Sequence, residues 1–273
     1  LIVNVTPKSL MTHEIAVARV INQHSLPEVC EAVGIMKTCE VGIKSSHQYC
    51  AVMRYVTNAD PLSIVLRRSV ISDHEIVGII CETLVTLQYL YDRHEFTHYD
   101  LHTSNVMVQL SVTYDVNREP WVAPRQFNTL KYSYAFECNY IPVLIDFEFS
   151  HVKHPSGRSI GVTCVESTGI KCCANPSFDI HSLLTDAINH RPSLVKYLRP
   201  ALDLILAVDS SVTDEEYVEL VCNNVSDVPQ ILYWPYNVRV NYEDAVTAMI
   251  RSNKIEGIFR NDIRWEEVTR KNG

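Results

Sequence analysis

One short run constrains this chain more than any other feature: His98-Tyr99-Asp100-Leu101-His102-Thr103-Ser104-Asn105. It is densely polar and sits between two apolar segments of opposite periodicity. Before it, Ile76, Ile79, Ile80, Leu84, Leu87 and Leu90 recur at helical spacing, and Ser72-Asp73 supplies an N-terminal cap. After it, residues 106–108 form a short apolar strand. A second such strand, residues 143–145, ends in an acid, Asp146. The chain must bury a long helix while holding a polar loop and a strand-borne carboxylate at the edge of that core.

The remaining pattern is strands first and helices later. Residues 1–5 read as a strand with neither the basic start nor the cleavage site of a signal peptide. Thr12-His13-Glu14 is predicted to open a helix through Val17, Val20 and Ile21, with His24 in its last turn. Strands are expected at residues 39–43 and 49–56, and a turn at Asn58-Ala59-Asp60-Pro61. The tyrosine-rich stretch between residues 108 and 143 reads as an extended hairpin or loop. From Phe178, Ile180, Leu183, Leu184, Ala187 and Ile188 make one apolar helical face, and helical patterns continue to about Arg251. The order suggests an α+β protein with a small sheet lobe, residues 1–56, and a larger helical lobe, residues 57–273, in a single domain.

Asp100, Asn105 and Asp146 suit one chemistry in particular. Phosphoryl transfer from a nucleotide needs an acid to orient the attacking hydroxyl, oxygen ligands for magnesium, and positive charge on the phosphates. Asp100 and Asn105 offer the first two from one loop, and Asp146 adds an anionic ligand from the neighbouring strand. Magnesium prefers such hard oxygen donors.

These residues resemble a known family. His98-Tyr99-Asp100-Leu101-x-x-x-Asn105 is similar to the protein-kinase catalytic loop, and Asp146-Phe147-Glu148 to its Asp-Phe-Gly metal motif. Met53-Arg54-Tyr55-Val56 resembles the hinge that holds the adenine, with Met53 at the gatekeeper place, and Asp60 matches the acid near the ribose. Glu14 lies on the helix that supplies the acid partner of the strand lysine. Phe178-Asp179-Ile180 resembles the start of the helix whose buried Asp braces the catalytic loop. Asp-Leu-His, the long insertion before Asp146 and the absence of Ala-Pro-Glu are similar to haspin-type kinases and to kinase-like proteins of large DNA viruses. The resemblance implies a two-lobed kinase-like fold with ATP and magnesium between the lobes. It implies phosphoryl transfer to a Ser or Thr hydroxyl of a protein substrate, with Asp100, His102 and Asn105 catalytic and Asn105 and Asp146 on the metal.

The sequence departs from that family in three places. Asn4 aligns with the phosphate-binding lysine, no two of the eight glycines form G-x-G, and Tyr99 replaces the arginine that reads a phosphorylated activation loop. A pseudokinase scaffold therefore stays open. So does a small-molecule kinase of the choline or aminoglycoside type, which shares Asp-x-His-x-x-x-Asn and Ile-Asp-Phe-Glu. His94, His98 and His102 recur every four residues, but the loop separates them and argues against a zinc stripe. The formal net charge of −8 argues against a nucleic-acid partner, and no apolar run reaches the length of a membrane span. Nine scattered cysteines suggest reduced thiols in a cytoplasmic setting, or host cytoplasm or virion for a viral protein.

Overall fold

The helix that Ser72 caps is the axis of the molecule. In the computed structural model it is α3, Asp73–His94, and it begins with a complete capping box: the Ser72 hydroxyl accepts from the Glu75 amide, and the Glu75 carboxylate accepts from the Ser72 amide at 2.9 Å. It ends where Glu95 turns left-handed at φ 47°. Its central turns are buried on every side, from Ile76 through Gln88, as a helix enclosed by other elements must be. The structure describes residues 2–6, 8–22, 32–37, 49–53, 56–110, 125–136, 139–161, 174–206, 208, 211–223, 239–252 and 263–267. In 2–6, 8–12, 32–37, 49–53, 222–223 and 263–267 it describes the backbone alone.

Before α3 lies a three-stranded antiparallel sheet of β1 (Ile2–Thr6), β2 (Ala32–Lys37) and β3 (Tyr49–Met53), in the order β1-β3-β2. Helix α1 (Lys8–Ile21) connects β1 to β2 and buries Ile15, Val17, Ala18, Val20 and Ile21. It starts four residues earlier than the sequence suggests, and His24 lies outside the described residues together with the strand expected at 39–43. The expected turn at 58–61 is only half a turn. Asn58 does turn, at φ 52°, but Ala59–Pro61 is a strand, β4, paired antiparallel with β5 (Val106–Leu110). Pro61 sits at the last register position of β4, opposite Met107, a strand end at which a missing N–H is tolerated. A short helix, α2 (Leu62–Val65), follows directly.

β5 pairs on its other side with β8 (Tyr140–Leu144), so the two apolar strands of the sequence are neighbours. Within the tyrosine-rich insertion the described residues form a hairpin of β6 (Arg125–Asn128) and β7 (Tyr132–Phe136), extended by β11 (Ile263–Glu267) alongside β7. It is fastened to α3 by a buried ion pair: Arg125 grips the fully buried Glu82 carboxylate with two nitrogens. Two-stranded β9 (Val152–Lys153) and β10 (Ser159–Ile160) come next. Helices α4 (Pro176–His190), α5 (Val195–Leu202), α6 (Asp214–Asn223) and α7 (Tyr242–Ser252) complete the helical part. Among the described residues no helix is long and apolar enough to cross a membrane.

Candidate functional site

The loop from His98 to Asn105 is held by bonds that begin on α4. Asp179, in the first turn of α4, is completely buried; its carboxylate accepts the His98 amide at 2.7 Å, the Tyr99 amide at 2.8 Å and the Tyr242 hydroxyl at 2.7 Å. Burial raises its pKa to about 7, against the lowering pull of those three donors. Held this way, Tyr99 adopts φ 62°, which a bulky residue reaches only under constraint, and its ring packs on Phe178 with centroids 5.5 Å apart. Tyr99 is a packing residue and brings no cation to the loop.

His98 is the inner wall. It is fully buried, its Nε2–H donates to the Ile145 carbonyl at 3.0 Å, and its ring lies 5.6 Å from that of Phe147. Burial lowers its pKa to about 4, so it is a neutral strut that ties the loop to the segment just after β8 that carries Asp146. The loop closes in a single 3-10 turn, Thr103–Asn105. His102 caps it: Nδ1 accepts the Ser104 amide at 3.2 Å, which leaves Nε2 on the side of Asp100, 3.9 Å from Oδ2.

Asn105 and Asp100 meet directly. The Asn105 amide nitrogen donates to the Asp100 carbonyl at 2.9 Å and to its carboxylate at 3.1 Å. The Ile145 amide donates to the Asn105 carbonyl at 3.1 Å, so the residue before Asp146 is stitched to the end of the loop. Asp146 stands just beyond, in the left-handed region at φ 65°, with Oδ1 buried and without a hydrogen-bond partner. Burial raises the Asp100 pKa, His102 and Asn105 oppose that rise, and the charge of Asp146 adds to it. Glu148 is raised by burial and by the charges of Asp146 and Asp100.

Glu14 completes the group. It is 2% exposed, and its Oε1 has no partner. Burial raises its pKa to about 7 and the nearby Asp146 charge adds to this, while the Phe147 amide opposes it by hydrogen bonding. The preceding residue, His13, donates from Nε2 to the Ser150 carbonyl at 2.8 Å, so α1 holds the segment after Asp146 at two points. The charge of Asp146 helps raise the pKa of Glu14, Asp100 and Glu148, and the partnerless buried oxygens of Asp146 and Glu14 are hard donors of the kind a divalent cation takes. Among the described residues no three His, Cys, Asp or Glu side chains close a ready-made cage.

Beside these acids lies an apolar patch built by strand alternation. Met107, opposite Val143, shares one face of the β5–β8 ladder with Ile141, and half-buried Ile145 and Val56 pack on the same cluster. The other face sends Val106, Val108 and Leu144 into the core. Of the expected nucleotide residues, Val56 is thus at the patch. Asp60 is at β4, where it pairs with Arg68 at 2.8 Å. Met53 is described as backbone only, and Arg54 and Tyr55 lie outside the described residues. Sequence reasoning missed the Tyr242 hydroxyl on Asp179 and the His13 bond, both of which join residues distant in the chain.

No protein-family profile matches the chain. A stretch of 150 residues is 29% identical to a protein named probable kinase 098L of Invertebrate iridescent virus 3. That stretch is 54% of this chain and 26% of the relative, so the chain spans about a quarter of the relative's length. Among solved structures it is similar to one titled as the Rad53 kinase domain and SCD2, with TM-score 0.47 and 14% identity, covering 91% of this chain and 78% of that one. It is also similar to the autoinhibited serine kinase domain of the giant muscle protein titin, with TM-score 0.43 and 12% identity over 91% and 70% of the two chains. The described residues form an α+β fold in which the loop, Asp146 and the brace from α4 are joined as above, and a sequence relative of the chain is a viral protein named a probable kinase.

Proposed function

We propose that this chain binds ATP with magnesium beside the β5–β8 sheet and transfers the γ-phosphoryl group to a Ser or Thr hydroxyl of a protein. The observation that carries the reading is the convergence of three groups. Asn105 is bonded to the Asp100 carboxylate, and Asp146, joined to the loop end through Ile145, leaves a buried oxygen without a partner. The half-buried patch of Val56, Met107, Ile141 and Ile145 offers a flat apolar floor for a purine.

In this reading Asp100 accepts the proton of the attacking hydroxyl as the new O–P bond forms and the bond to the ADP leaving oxygen breaks. Its raised pKa makes it a better proton acceptor than an exposed carboxylate. The Asn105 nitrogen fixes the Asp100 carboxylate, which leaves the Asn105 oxygen to share a cation with Asp146. Magnesium, when bound, screens the phosphate charge. His102 needs no proton to assist: with Nδ1 engaged by the Ser104 amide, its Nε2–H can donate to a phosphate oxygen. Asp-Leu-His and the insertion before Asp146 support a haspin-type relation within the superfamily.

A second reading, a nucleotide-binding scaffold without turnover, is favoured by one observation. Among the described residues, the forces on the buried Glu14 carboxyl include no cation, where an active kinase would supply a lysine. Transfer of labelled phosphate from ATP to a panel of basic and acidic proteins, for wild type and Asp100→Asn, separates the two. Turnover is expected in the wild type and a loss of about a hundredfold or more in the variant, the scale of a positioned base. Equal rates in the two proteins would overturn the role of Asp100, and nucleotide binding without transfer would leave the scaffold.

A further inference from the structure

Helix α4 touches the polar loop at two places, and only the first was legible in the sequence. Asp179 holds the amides of His98 and Tyr99, just before Asp100. Seven residues later on the same helix, Asp186 holds Thr103, just after His102. Its Oδ2 accepts the Thr103 amide at 2.8 Å and the Thr103 hydroxyl at 2.5 Å. Seven residues are nearly two helical turns, so both carboxylates lie on one face, about 10.5 Å apart along the axis. The loop runs along that face, clamped on either side of Asp100.

The second clamp also completes the hydrogen bonding of the 3-10 turn. The first donors of any helical turn lack partners within it. Here the Ser104 amide goes to His102 Nδ1 and the Asn105 amide to the His102 carbonyl at 2.9 Å. The Thr103 amide is the remaining donor, and Asp186 takes it. Thr103 is fully buried, so water does not substitute. The other oxygen of Asp186 faces His190 Nε2 at 3.7 Å, and His190 Nδ1 accepts from Arg67 at 3.4 Å. That outer row steadies the carboxylate from the side facing away from the loop.

We propose that Asp186 is a positioning residue for the phosphotransfer proposed above: through Thr103 it fixes the turn that presents Asn105 to Asp100. The inference rests on that reading for its effect on rate, and on geometry alone for its effect on the loop. Without the clamp, the turn pivots about Asp179, and Asn105 loses its set distance from the Asp100 carboxylate. Small misplacements of reacting groups cost rate out of proportion to their size.

The test uses Asp186→Ala, Asp186→Asn, Thr103→Val and the Asp186→Ala/Thr103→Val double variant of the full chain, read by hydrogen exchange and by kinetics. In Asp186→Ala the exchange of residues 98–105 should rise about tenfold or more, while α3 and the first turns of α4 keep wild-type protection. The kcat should fall about tenfold with KM for MgATP within about twofold, and Asp186→Asn, which keeps an acceptor, should recover most of the loss. The double variant should be no worse than Asp186→Ala, because the two residues act as one unit. Unchanged exchange in the loop, exchange rising across α3 as well, or independent losses in the double variant would each overturn the proposal. If the wild type transfers no phosphate, the exchange result still decides the clamp, and only the functional reading falls.

Discussion

Replacing Asp179 by Asn probes the brace with almost no change of shape. The carboxylate accepts three buried donors at 2.7, 2.8 and 2.7 Å, two of them backbone amides of the loop. An amide has one acceptor oxygen, and its nitrogen must then face another donor. One hydrogen bond to a charged group, about 1.5–3 kcal/mol, is lost, and one buried donor is left unsatisfied at about 1–3 kcal/mol. The isosteric amide avoids a cavity, and it escapes the burden of burying a charge, so the net cost should be about 2–4 kcal/mol. For a chain of this size that lowers the melting temperature by roughly 10 °C. Tyr242→Phe removes one donor and leaves the loop amides served, so it should cost about 1 kcal/mol. Thermal unfolding followed by circular dichroism measures both. An Asp179→Asn protein that melts within about 2 °C of wild type would refute the idea that this carboxylate carries the loop.

Two further outcomes follow from buried charge. Arg125→Met strands the fully buried Glu82 and should destabilise by about 3–5 kcal/mol in urea titration, whereas Glu82→Met/Arg125→Met together should recover most of it. The pKa of Glu14 is raised from the ordinary 4.5 to about 7, so its contribution to stability is present below pH 4.5 and lost as pH rises through 7. Glu14→Gln cannot ionise; in EDTA its stability should decline less than that of wild type between those limits, by roughly 3 kcal/mol at most. Parallel pH curves for the two proteins would contradict this.

What the sequence made legible is what local chemistry decides. The two strands after the loop are where they were read but longer, Val106–Leu110 and Tyr140–Leu144, the second ending one residue short of Ile145. The Ser72 cap and the apolar stripe of α3 stand as read, because each is written within a few residues. The polar octet was recognisable for the same reason. Asp179 was identifiable through the resemblance of Phe178-Asp179-Ile180 to the bracing helix of the kinase family, although nothing local shows that Tyr242 would reach it from 63 residues away. The turn at residues 58–61 failed because pairing with β5 overrode its local preference, as sheet contacts commonly do. The start of α1 was missed because Lys8-Ser9-Leu10 carries no clear cap before the apolar stripe begins. Glu82 and Arg125, or Thr129 bonding Glu243, are long-range partners that no periodicity reveals.

The central claim is that Asp146 and Asn105 present a cation site beside the nucleotide floor, and calorimetric titration with ATP tests it most directly. Wild-type protein should bind ATP in millimolar magnesium and lose about tenfold or more in affinity when EDTA replaces the metal. Asp146→Asn, stripped of the buried anionic ligand, should bind weakly and show little difference between the two conditions. Binding that is equally tight with and without magnesium in the wild type, or a full magnesium effect in Asp146→Asn, would contradict the assignment of the site.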